Sequence, residues 1–143
     1  MGAPFVFEAV APVKYTQLEE WIARGEGKKF VVKRLKDAST ILTTGAIEKL
    51  RAVERTFEGK PYDLTFAWSD DRMYCSELVW KVYDRALGIE VGSLQRLKEF
   101  NLDDPAVKAK LKERYGNSVP LDETVISPSS IYESERLVTV AKQ

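Results

Sequence analysis

Between Cys75 and Ala86 the residues Cys75, Leu78, Val79, Val82, Tyr83 and Ala86 recur at the spacing of one helical face, and Gly88 follows as a stop. A helix with such a stripe has to bury it, so the rest of the chain must supply a matching apolar surface. A second pattern does so: Ile47, Leu50, Val53 and Phe57 repeat helically from Thr44, and Gly59 with Pro61 ends the run. Shorter elements frame these two. Phe5 to Val10 reads as a buried strand, and Thr16 with Glu19 as a capping box opening a helix that carries Leu18, Trp21 and Ile22 and stops at Gly25. Phe30 to Leu35 reads as a valine-rich strand. Leu64, Phe66 and Trp68 alternate as a strand or an extended wall before a turn at Ser69-Asp70-Asp71. Asp104-Pro105 predicts a helix start, with Val107, Leu111 and Tyr115 on one face up to Gly116. Ser127-Pro128 opens a short turn, and Leu137 to Val140 a final strand.

With 143 residues and no repeat or linker, residues 1–143 read as one domain, large enough to bury a core. The 22 basic and 22 acidic residues cancel, which argues against nucleic acid as a partner. No run approaches the length of a membrane span, so no integral membrane segment is expected, and the first residues lack a secretion signal. One cysteine cannot form an internal disulfide, and without any histidine no soft zinc site or haem ligand set arises. No metal or other cofactor is expected. Lys28, Lys29, Lys33, Arg34 and Lys36 cluster around one strand, most simply as a solvated face.

Cys75 is the residue on which function turns. On an apolar helical stripe it fits a small buried residue. At a helix start it also fits a nucleophile, because free N–H groups and the positive end of the macrodipole favour thiolate. Arg72 adds to that effect and Asp70, Asp71 and Glu77 oppose it, leaving the net sign open.

The stretch GKPYDLTFAWSDDRMYCSELVWKVYDRALGIEVG, residues 59–92, resembles the nucleophile region of the YiiX-type permuted papain-like cysteine hydrolases, relatives of NlpC-like cell-wall peptidases. The resemblance extends to FEAVAPVKYTQLEEWIARGEG, LKERYG and ISPSSIY, and so to nearly everything after Pro4. It implies an α+β, permuted papain-like fold in which an antiparallel sheet packs against the cysteine helix. It also implies a cysteine amidase or peptidase working through a Cys75 acyl-enzyme, with Glu8 as the polar residue that orients a histidine. Tyr74 becomes a candidate for lining the oxyanion side. From its residues alone, Glu8 equally fits a strand edge in water, and Tyr74 equally fits ordinary packing.

By the same resemblance the substrate is a peptide, cell-wall or lipid-linked amide and the location extracytoplasmic, although this chain shows no signal. Family members carry the base histidine on a strand ahead of the glutamate, and this chain has none. The expectation is therefore a form lacking its first strands, catalytically poor as it stands, with a sheet edge near Phe5 open to a homo-oligomer. The alternative is a non-catalytic binding module that keeps the cleft.

Overall fold

The structure is a computed structural model that describes residues 4–143. Two helices, α3 (Thr44–Phe57) and α4 (Cys75–Leu87), pack side by side as their periodicities require. Thr43 caps α3 by accepting from the Ala46 N–H at 3.1 Å, and Gly88 ends α4 with φ 66°, in the left-handed region glycine tolerates best. Against them lies a hairpin of β1 (Phe5–Glu8) and β2 (Lys14–Gln17), in register from Phe5 opposite Gln17 to Glu8 opposite Lys14. Ala9, Val13, Phe57, Met73, Leu78 and Val82 fill the space between hairpin and helices. The hairpin is also tied to the end of α3 by backbone bonds from Val13 N–H to Lys60 and from Gly59 N–H to Val13.

The expected helix after the hairpin is α1 (Leu18–Arg24), but Thr16 does not cap it. Thr16 lies in β2, buried, with its hydroxyl turned to donate a charge-assisted bond to the Glu8 carboxylate, and Gln17 takes the N-cap position without a side-chain bond. β3 (Val31–Leu35), followed by the one-turn α2 (Ala38–Ile41), pairs antiparallel with β6 (Leu137–Lys142) as a ribbon exposed along most of its length. The basic cluster lies on and around β3, largely exposed, as expected of a solvated face.

Residues 64–68 form no strand. Tyr62 and Met73 make an isolated bridge, and the segment between them is a series of bends rather than an extended wall, with Phe66 in the left-handed region at φ 54°, Phe66 and Trp68 half-buried and Leu64 exposed. β4 (Gln95–Arg96) and β5 (Thr124–Val125) pair across a long insertion that holds α5 (Pro105–Tyr115), capped by Asp104 through Ala106 and Val107. α6 (Pro128–Tyr132) follows, with Ser127 accepting from the Ser130 N–H.

The sheet content among the described residues is thus three two-stranded antiparallel ribbons, of which the β1–β2 hairpin backs the cysteine helix. The outer edge of β1 has no strand partner among them. No helix among them is long and apolar enough to cross a membrane.

Candidate active site

α4 is buried on two sides, one more than its apolar stripe requires. Leu78 and Val82 face the hairpin core, while Trp80 joins Tyr74 and Ile126 in a second cluster with Tyr62, Phe66, Trp68 and Ile131 around it. Cys75 is the first residue of the helix and is exposed, which corrects its expected place on the inward face. The stripe is read one turn too far: at the first helical position the side chain projects past the end of the packed surface rather than onto it.

The residues on either side of the sulfur hold the opposite wall. Tyr74, buried, accepts the Ile126 N–H on its hydroxyl at 3.3 Å, and Ser76, also buried, donates its hydroxyl to the Ile126 carbonyl at 2.7 Å. Both backbone groups of one residue are thereby satisfied from the two neighbours of Cys75. Burial is the main reason the Tyr74 phenol is pushed above its ordinary range. Between that wall and the helix start lies a cleft of about 570 Å³, within the size range of small-molecule sites. Cys75 stands at it, and its lining, including Phe66, Leu97, Phe100, Val107 and Ile126, is overwhelmingly apolar.

The helix terminus does not win over the thiol. The sulfur's packed surroundings withdraw water and push its pKa up, and the Glu8 carboxylate pushes it further in the same direction. Glu8 itself, almost buried, accepts from the Thr16 hydroxyl and from Arg24, each at 2.5 Å. Burial opposes its ionised form most strongly, but these partners outweigh it and its pKa falls below the carboxylate norm. The carboxylate lies close enough to act on the thiol, with both oxygens already engaged.

A polar cluster behind the helix start was not legible as such in the sequence. Glu77, fully buried, accepts the Tyr74 N–H at 3.2 Å and the Lys81 ammonium at 2.7 Å. Lys81, also buried, donates to the Ser69 carbonyl and to Asp70, and lies 4.4 Å from the centre of the Trp68 ring. Asp70 in turn binds Arg85 through both oxygens. Ser69-Asp70-Asp71 is a turn, as expected, and Asp70 anchors α4 from outside through Lys81 and Arg85. Asp63, fully buried beside this region, accepts from the Thr65 N–H and hydroxyl on one oxygen and leaves the other without a partner.

A sequence profile of a family described as permuted papain-like amidase enzymes, YaeF/YiiX, matches residues 2–141. An Escherichia coli (strain K12) protein named uncharacterized protein YiiX is 55% identical over 140 residues, covering 98% of this chain and 68% of its own length. A crystal structure of YiiX from Escherichia coli O157:H7, described as a metalloprotein, superposes with a TM-score of 0.92 at 55% identity, over 99% of this chain and 77% of the other. The donor set here does not fit a metal. Among the described residues no group of three cysteine, aspartate or glutamate side chains converges, and the chain has no histidine.

Proposed function

This chain belongs to the YaeF/YiiX family of permuted papain-like amidases, and on that footing we propose that it performs acyl transfer at an amide or ester carbonyl through Cys75. The single observation that carries the reading is the placement of the one cysteine at a helix N-terminus, exposed, at a preformed cleft.

The thiolate adds to the carbonyl carbon, a C–S bond forms, and the amine or alcohol leaves with a proton as the thioester is made. Water then adds to the thioester, the C–S bond breaks, the acid departs and the proton returns to sulfur. The developing oxyanion faces the first turn of α4, where N–H groups have no intrahelical acceptor. The Tyr74 N–H is already committed to Glu77, which leaves the Cys75 N–H as the nearest backbone donor, with the Tyr74 ring lining that side. Glu8 is the carboxylate suited to orient an imidazole. A peptide, cell-wall or lipid-linked amide would each present a suitable carbonyl.

Both halves of this reaction need a general base, and a thiol with a raised pKa needs one most. With no imidazole in the chain, acylation by an activated ester is expected to stop near one equivalent, followed by slow release. Added free imidazole should accelerate release severalfold in the native chain and leave a Cys75→Ser variant at the rate of imidazole alone. An absence of any Cys75 adduct by intact mass would remove the enzymatic reading and favour a binding module.

A further inference from the structure

The β3–β6 ribbon lies outside the residues that line the cleft, and its composition departs from that of the chain as a whole. Residues 31–36 and 136–142 carry Lys33, Arg34, Lys36, Arg136 and Lys142 without one acidic residue, in a chain whose 22 basic and 22 acidic residues balance. None of these cations makes an ion pair among the described residues. Lys33 donates to the Tyr132 carbonyl, with its ammonium 3.8 Å from the centre of that ring. Asp37 and Glu135 stand at the Leu35 end, where they share a hollow with Lys36 and Arg136.

The ribbon is also apolar where it meets water. Val31, Val32, Val138 and Val140 are 39–45% exposed, at positions a solvated sheet face ordinarily gives to polar side chains. Its outer edges have no strand partner among the described residues. The β6 edge is interrupted, because Val32 pairs with Ala141 and Lys33 with Thr139, which leaves Val140 as the extra residue of a bulge. β3 runs without such a break. Backbone bonds from the Lys36 N–H to Arg136 and from the Gln143 N–H to Phe30 fix which of its residues face β6. By alternation, Val31 and Lys33 turn their N–H and C=O groups to the open edge. The same alternation sets the side chains of Val32, Arg34 and Lys36 on one face of the ribbon and those of Val31 and Lys33 on the other.

We propose that the open edge of β3 docks an acidic, extended segment of a partner protein, which adds to the ribbon as a third strand. Backbone pairing at Val31 and Lys33 holds the segment in place. Its carboxylates lie beside Arg34 and Lys36 on one face, and its β-branched side chains beside Val31 on the other. A second copy of this chain does not fit, because edge-to-edge pairing sets Lys33 and Arg34 of one ribbon against those of its neighbour.

The test follows, by fluorescence anisotropy, the binding of a short labelled peptide of alternating valine and glutamate to the full chain. Binding should weaken about fivefold in the double variant Arg34→Gln with Lys36→Gln, the sum of two cross-strand charge pairs of ordinary strength. Glutamine in place of glutamate in the peptide should cost a similar factor. Val31→Pro removes an edge N–H, leaves every charge in place and should cost about tenfold. Two further peptides, N-methylated at the valines or at the glutamates, test the same pairing without altering the protein. Only one of them should lose binding, since a strand turns alternate N–H groups toward its neighbour. Cys75→Ser should bind like the native chain, so that the result stands apart from the acyl-transfer reading.

Equal binding of the alternating peptide and of an oligoglutamate of the same charge overturns the proposal, as does binding insensitive to both Val31→Pro and N-methylation. Either result would reduce the ribbon to plain electrostatics. Attachment to phosphatidylglycerol vesicles or to single-stranded DNA, without binding of the peptide, overturns it in favour of a different partner. Binding of none of these probes would leave the ribbon a solvated face.

Discussion

Replacing Lys81 by Met is expected to lower stability by about 3–5 kcal/mol at neutral pH, the usual cost of stranding one member of a buried ion pair. Over a chain of this size the melting temperature should fall by roughly 10 °C or more. The magnitude follows from burial, since Glu77 is 0% and Lys81 2% exposed, and the surviving carboxylate has no water to turn to. The pH dependence provides a signature. Burial pushes the Glu77 carboxyl up to about 7 even against the pull of Lys81. Its folded pKa therefore lies above the unfolded one, and the stability this confers is present below the unfolded pKa and lost as pH rises through the folded pKa.

Without Lys81 the folded pKa moves higher still, so the loss continues further into the alkaline range. The gap between variant and native chain should thus be smallest near pH 5 and widest above pH 8. Converting Glu77 to Gln as well should recover much of the loss and flatten the slope. Thermal melts across this range are the measurement, and a gap below about 1 kcal/mol at pH 8 would show the pair to behave like a surface one. The consequence for function is direct, because Glu77 also holds the Tyr74 N–H, one residue from the sulfur.

Phe57→Ala is the second large effect, expected at about 3–5 kcal/mol. The ring is 2% exposed where the end of α3, the hairpin and α4 converge, against Val13, Met73, Leu78 and Val82. Arg85 lies over it at 5.3 Å from the ring centre, so truncation also loosens the outer anchor of α4. A void at this point cannot be closed by one element moving, because three meet there. Denaturant titration should show the loss as a lower midpoint with an unchanged slope. A cost under about 1 kcal/mol would mean that the hairpin is not integral to the core.

The helices were legible because their information is local. Periodic apolar residues with Thr43, Asp104, Ser127 and Gly88 at the ends specify α3, α5, α6 and α4 within a residue or so. The supports of the site were not. Ser76, Glu77 and Lys81 lie where an amphipathic helix ordinarily faces water, and their burial is decided by Ile126 and Ser69, partners 50 and 12 residues away.

Thr16 illustrates the same limit from the other side. A local capping pattern lost to a carboxylate eight residues earlier, across the hairpin. β4 and β5 are two residues each and carry no period at all. The sequence singles out the thiol, but the sign of its pKa shift depends on packing and on Glu8, neither of which spacing reveals.

The most direct test of the central claim is the alkylation rate of the single cysteine in the folded chain as a function of pH. A thiol standing open at the cleft, kept protonated by its surroundings and by Glu8, should react under native conditions at a rate that rises about tenfold per pH unit through pH 8 and on past pH 9. Glu8→Gln should raise that rate at fixed pH. Modification that proceeds only as fast as global unfolding, and accelerates with denaturant accordingly, would contradict the account.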